Sequence, residues 1–456
     1  MKPFKTIGTG LVWNVVTTYA SKLVGFGTIF IILSRLSAYE YGVAELALSI
    51  TVFMSIFLLP GLSNVVIVDM GVEKGAGNSE KAQGMFVAYF KLVFSLGIVA
   101  WALVFFGASF IAQYSGEYSS YLVKIVSFTL VMAPIRSLYT ILFSYALRYA
   151  ELSFIGFFEE LIKLVMVLAF LVQYDNGPGG LLWATVASQV GALILLAPKF
   201  YQIYKQSFSK NPMPISITTL FTGHSFWSIL GTYIGSFGQS MRTWIVKFML
   251  GTEAVAQVNV AFGLIGHTQS LMPLSKVIAP LLPQYMYDKI KFVMLLVKSI
   301  KYQFIGQILV TIPVCLFIPI FIRTFFGEYT QAVPIFYLFI PMLITSGFDV
   351  YVVAAFMSLK AQKNMLFAVF YKVILTALIL PICIQYYGIY GVPLGLFLVS
   401  CWFVYERYTR LKKILPEFAL HWKDIIRYDE FDALILRRIW AMCLRFTRFM
   451  HLKIKN

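Results

Sequence analysis

Charge is scarce in this chain. Of its 456 residues only 12% are Asp, Glu, Lys or Arg, whereas 59% are hydrophobic. A soluble domain carries about 25% charged and about 45–50% apolar residues, so this composition cannot cover a water-facing surface in the usual way. A soluble enzyme, a nucleic-acid-binding domain and a disordered protein are excluded on that ground, despite a formal net charge of +17. Cysteine is nearly missing. Cys315, Cys383, Cys401 and Cys443 are too scattered for a disulfide framework and read as small hydrophobes. The histidines His224, His267, His421 and His451 have no partner at metal-ligand spacing. There is no G-x-x-x-x-G-K-[ST] phosphate loop, no H-E-x-x-H helix and no G-x-S-x-G elbow. Neither catalysis, nor a metal, nor a cofactor is expected.

What the chain has instead is long apolar runs and rings, with 42 Phe and 27 Tyr that suit a lipid solvent. A bilayer core is crossed by about 20 apolar residues. Twelve runs qualify: 10–33, 43–68, 85–112, 121–145, 154–172, 181–197, 221–250, 255–282, 302–322, 333–358, 365–386 and 392–408. The first carries Lys22 at its centre and no small-residue cleavage site follows it, so it reads as a retained span rather than a signal peptide. With the N-terminus inside, 26 Lys and Arg fall in inner segments and two, Arg35 and Arg323, in outer loops. Both termini are therefore expected in the cytoplasm. Residues 411–456 differ in kind. Arg437, Arg438, Trp440, Leu444, Arg445 and Phe449 alternate as in a basic amphipathic helix lying on an anionic leaflet.

The halves repeat. Gly116-Glu-Tyr118 and Gly327-Glu-Tyr329 stand 211 positions apart, as do Gly177 and Gly388, and 36–50 matches 250–264 at 214. Six spans per half is an even number, which makes the repeat parallel, with lobes 1–215 and 216–410 about a central cleft. The fold expected is an all-α polytopic membrane protein.

An ionisable group in the hydrocarbon core marks function by default. With Glu406 and Arg407 counted with the tail, nine cations fall inside the runs against four acids, Glu45, Glu159, Glu160 and Asp349. Lys91, Lys124 and Lys247 lie near span ends and can snorkel; Lys276 and Lys372 are equally open to either reading. Glu159 and Lys163 have the i,i+4 spacing of a pair on one helix. Lys22 and Arg136 sit near mid-span. Lys22 shares a helix face with Asn14, Thr18 and Ser21, and Arg242 ends a stripe running through Gln239. Asn259 and His267 mark a similar stripe on the eighth run. Small polar stripes also glue helices together, but glue does not need a Lys or an Arg.

The stretch Leu33-Ser-Arg-Leu-Ser-Ala-Tyr-Glu-Tyr-Gly42, with Pro60-Gly-Leu-Ser-Asn64, Phe325-Phe-Gly-Glu-Tyr329 and Tyr387-Gly-Ile-Tyr-Gly391, resembles bacterial polysaccharide flippases. These belong to the multidrug/oligosaccharidyl-lipid/polysaccharide exporter superfamily. The resemblance spans about residues 1–411; the basic tail departs from it. It implies two six-helix lobes in a V, opening alternately to either side of a bacterial inner membrane. It implies as substrate an undecaprenyl-pyrophosphate-linked oligosaccharide repeat unit for O-antigen or exopolysaccharide assembly, with a polysaccharide polymerase and a chain-length regulator as partners. A pyrophosphate suits Arg forks and Lys point charges. The substrate-binding residues are thus expected to be Lys22, Arg136 and Arg242, helped by Asn14, Gln239, Asn259, Lys276 and Lys372. Asp349, Glu159, Glu160 and His267 are the candidates for coupling. The rivals are a multidrug exporter of the same superfamily, whose cleft should be acidic, and a non-transporting scaffold of a glycan-assembly complex.

The charge bias makes a direct prediction. In a cysteine-free background, Asn176→Cys labels from outside and Lys205→Cys from inside. Labelling of position 205 from outside overturns the topology.

Overall fold

The computed structural model describes residues 2–115, 120–208, 212–221, 224–271, 282, 288–359, 361–420, 428 and 433, with side chains in the first helix from Val16 onward. The expected tail helix, Gly116-Glu-Tyr118 and Lys276 lie outside the described residues, as does the side chain of Asn14. Among the described residues every regular element is helical. The α-helices are α1 Lys2–Arg35, α2 Ala38–Met54, α3 Leu62–Gly75, α4 Ser79–Phe106, α5 Ala108–Ser115, α6 Ser120–Tyr145 and α7 Tyr149–Val167. They continue as α8 Gly177–Ser207, α9 His224–Leu250, α10 Thr252–Ser270, α11 Lys289–Phe325, α12 Ala332–Ser358, α13 Gln362–Tyr387 and α14 Gly391–Ile414. Helix is what lipid demands, because every backbone N–H and C=O must be satisfied within its own segment.

Eight described stretches are long and apolar enough to cross a membrane, against the twelve runs expected. The difference has a physical cause. α7 holds Glu151, Glu159, Glu160 and Lys163, α9 holds Arg242 and Lys247, and α10 is rich in Gln, Asn and His, so these three helices are too polar to count. α13 and α14 fall within a single stretch, 363–414. Counted by traverse, the described helices make twelve passes, in two lobes of six passes each. The second traverse is bent, because Leu59 and Gly61 take left-handed φ of 52° and 92° around Pro60 and part α2 from α3.

α1 lies along α7, α7 along α8, and α4 and α6 along each other. In the second half α13 is flanked by α9 and α14, and α12 packs on α10, α11 and α14. The halves meet where α2 lies against α10 and α9. Gly42 is what admits this approach: a Cβ there would lie 2.3 Å from the Thr252 carbonyl oxygen.

Near that crossing a clasp joins the lobes. Ala38 N donates to Glu328 Oε2 at 3.0 Å, Tyr329 Oη donates to Leu36 O at 2.9 Å, and Gln257 Nε2 donates to Glu328 O at 2.7 Å. Phe30 packs on Phe321, Phe325 and Phe326 beside it. One apolar core therefore continues from the first lobe into the second at this end. The far end of the second lobe has a separate core, built on Phe292, Tyr351, Phe356, Leu411 and Phe418. The lobes meet at this end and touch again farther along α1, where Tyr19 Oη donates to Leu271 O at 2.8 Å.

Removing one such hydrogen bond shifts the balance by about 1 kcal/mol, roughly fivefold in population. Tyr329→Phe and Glu328→Ala should each speed maleimide labelling of a Phe326→Cys reporter by that factor or more. An unchanged labelling rate means the clasp does not hold the lobes together.

Candidate functional site

Three cavities follow one another along α1. The first, about 390 Å³, lies among α1, α6 and α7 and is lined by Thr18, Ser21, Lys22, Arg136, Glu159 and Glu160. The second, about 120 Å³, shares Glu160 and adds Tyr41, Glu45, Lys163 and His267, leading toward the clasp. The third, about 340 Å³, lies between the lobes and is walled by apolar side chains including Leu23, Phe26, Leu271, Pro313 and Phe317. Lys22 lines both the first cavity and the third. Thr18, Ser21, Lys22 and Gly25 reach these spaces because they fall on one helical face, as the sequence spacing predicts.

The charges are arranged differently from the expectation. Glu159 pairs with Arg136 across helices, Nη2 to Oε2 at 2.8 Å, and not with Lys163 on its own helix. Helical spacing makes the Lys163 pair possible, but α6 brings a guanidinium fork closer. Lys163 instead faces Glu45, which is hydrogen-bonded by Tyr41 and by Asn259 Nδ2 at 3.2 Å and also feels Arg242. Glu45 belongs to α2 and Asn259 to α10, so this bond links the lobes. The first cavity holds two acids beside its two cations and is not uniformly cationic. Lys22 has no carboxylate within ion-pair distance among the described residues.

Lys22 and Arg242 do not form a joint clamp. Arg242 lines none of the three cavities; its guanidinium lies 3.9 Å over the Phe262 ring, with Nε buried and without a hydrogen-bond partner. Gln239 is exposed on α9. Asp349 and Lys372 sit apart, in the second lobe. Asp349 is bound by Arg407 of α14, and Lys372 and Arg407 both lie over the Phe403 ring, at 4.5 and 4.2 Å. In the sequence Arg407 falls at the edge of the basic tail and counts with it. The structure buries its side chain to 3% exposure. The signal that could have found it is its place within the twelfth apolar run, one turn past Phe403. Asp349 is thereby committed to a partner and is not a free acid facing Lys22.

Breaking such a pair costs about 3–5 kcal/mol, whereas replacing both members with apolar groups is often neutral. Asp349→Asn should lower the melting temperature sharply, and Asp349→Leu with Arg407→Met should restore much of it. Equal melting temperatures for the parent chain and Asp349→Asn refute this structural pairing.

No curated protein matches the chain in sequence. Solved structures match its fold. An inward-facing multidrug resistance MATE family transporter of the MOP superfamily superimposes with a TM-score of 0.73 at 14% identity, covering 89% of this chain and 98% of that one. An outward-facing transporter of the same description gives 0.65 at 15% identity, covering 92% and 97%. A MOP superfamily transporter from Pyrococcus furiosus, described as having a binding pocket of reverse polarity that suggests a different function, gives 0.66 at 15% identity, covering 91% and 96%. Identities this low speak for the fold alone. The family is fixed by sequence: residues 7–286 match the family described as polysaccharide biosynthesis protein. With more than half its length matched, and with the twelve-helix fold in place, the chain belongs to the polysaccharide biosynthesis protein family.

Proposed function

We propose that the chain is a flippase, carrying undecaprenyl-pyrophosphate-linked oligosaccharide repeat units from the cytoplasmic to the periplasmic leaflet of a bacterial inner membrane. One observation carries this reading. Lys22, a cation with no carboxylate partner among the described residues, stands where a polar cavity meets an apolar one between the lobes. A lipid-linked pyrophosphate has the same three-part chemistry: sugar, anion and hydrocarbon. The sugar fits among Thr18, Ser21, Thr140 and Ser153, the phosphates meet Lys22, and the chain leaves through the seam lined by Leu23, Phe26 and Phe317. Arg136, held by Glu159, orients the anion from the far side.

With both termini in the cytoplasm, the clasped end is periplasmic. Lobes 1–215 and 216–410 then rock about the α2–α10 crossing. A potential of 100 mV favours outward movement of each negative charge by about 2.3 kcal/mol, so the loaded step can run on the potential. Coupling on return falls to Glu159 and Glu160, with His267 beside them, rather than to Asp349. The repeat unit delivered outside is the form a polymerase and a chain-length regulator take up.

Losing a charge-assisted contact costs about 1.5–3 kcal/mol, roughly 10- to 100-fold. Lys22→Ala should reduce surface glycan by that factor at normal protein level, and Lys22→Arg should keep part of it. Full activity of Lys22→Ala sinks the assignment. Export of organic cations that survives Lys22→Ala and fails in Glu160→Gln favours the multidrug reading, for which the two cavity acids are the supporting feature.

A further inference from the structure

Away from the cleft, a cavity of about 300 Å³ opens where the end of α3, the start of α4, the α6–α7 turn and the end of α8 converge. It lies on the face that the charge bias places in the cytoplasm. Lys74, Ser79, Arg148, Gln206 and Ser207 bring side-chain donors to it, and among the described residues no carboxylate lines it. That distinguishes it from the Lys22 cavity, where two acids stand beside two cations. Of the acids nearby, Glu73 is engaged elsewhere, Glu80 is exposed beside Ser79, and Glu151 pairs loosely with Arg148 itself. Glu73 holds Lys81 at 2.6 Å, and Lys81 with Asn78 keeps its carboxyl below the usual range. Glu151 reaches Arg148 only at 3.7 Å, leaving that side chain 48% exposed. Lys74 Nζ donates to Tyr145 O at 2.9 Å and stands 4.5 Å over the same ring, contacts that aim the ammonium without neutralising it. A cation that serves only topology needs merely to lie in an inner loop. Here the fold gathers two of them, from loops more than 70 residues apart, around one space with two hydroxyls and an amide.

We propose that this cavity is a phosphate-binding site, taking the phosphate of an anionic lipid headgroup or of a soluble phosphate ester. Phosphate is the ligand that matches donors alone: a tetrahedral anion accepts from an ammonium, a guanidinium fork and hydroxyls at once. The site does not depend on the transport reading, and binding rather than transport tests it.

The purified full-length chain is placed in phosphatidylcholine nanodiscs with graded phosphatidylglycerol, and lipid retained on release is counted by native mass spectrometry. In parallel, glycerol phosphate is titrated calorimetrically into nanodiscs of phosphatidylcholine alone. The unmodified chain should retain phosphatidylglycerol selectively, and Lys74→Gln with Arg148→Gln should weaken retention at least about tenfold. Lys74→Arg should keep it, and Lys205→Gln, outside the cavity, should leave it unchanged. Glycerol phosphate binding without phosphatidylglycerol selectivity, lost in the same double variant, supports the site with a soluble source. If the double variant does not fold, Lys74→Gln against Lys74→Arg makes the same comparison. Retention and titration identical in the unmodified and charge-removed chains overturn the proposal.

Discussion

Two helical lobes in lipid have little hydrophobic reason to stay together, because lipid tails are as apolar as leucine. What joins them here is close packing at the α2–α10 crossing and around Phe30, together with a local set of polar contacts. The Glu328 carboxylate accepts from Ala38 N, and the Tyr329 hydroxyl donates to Leu36 O. Those backbone groups lie at the junction of α1 and α2, where a helix end and a helix start leave N–H and C=O groups without partners of their own. Ser37 and Glu40 form a capping box there, but it does not satisfy everything. The second lobe supplies the remainder. A backbone group at such a junction can trade a protein partner for water when the lobes part, so the clasp is strong enough to close and weak enough to open.

Buried charge sets the second constraint. An isolated ion in the hydrocarbon region is costly, and pairing reduces the cost without removing it. The chain pairs Arg136 with Glu159, Arg407 with Asp349 and Arg410 with Glu406. Three guanidinium groups are thereby fixed in place. Against this background Lys22 differs: Glu159 and Glu160 share its cavity, yet among the described residues neither forms an ion pair with it. An anion bound there, as proposed, would have no ion pair of Lys22 to displace.

The position of that lysine links chemistry to architecture. It lies on α1, which packs on α7 of its own lobe and also lines the seam toward α10 and α11. One helix therefore presents a polar face to the cavity and an apolar flank to the bilayer path. The rocking proposed for the lobes would change the seam while leaving the α1–α7–α6 cavity inside one lobe. The proposed headgroup site and tail path would thus be uncoupled in motion while meeting at one residue.

Membrane class, the succession of apolar runs, the repeat and the face shared by Thr18, Ser21 and Lys22 were legible in the sequence. Each depends on composition or on helical periodicity, which are local. The motif residues Glu328 and Tyr329 were legible as a signature, but their bonds to Leu36 and Ala38 bridge about 290 positions and needed the fold. Partner choice was likewise decided in three dimensions. Spacing on one helix favoured Glu159 with Lys163, yet a neighbouring helix brought Arg136 nearer. Asp349 looked available until α14 set Arg407 against it. A sequence fixes which charges enter the membrane, because that is a property of the chain. Which charges are neutralised, and which remain for a ligand, depends on helix packing across the lobe, where distances of a few ångströms in a low dielectric outweigh any spacing along the chain.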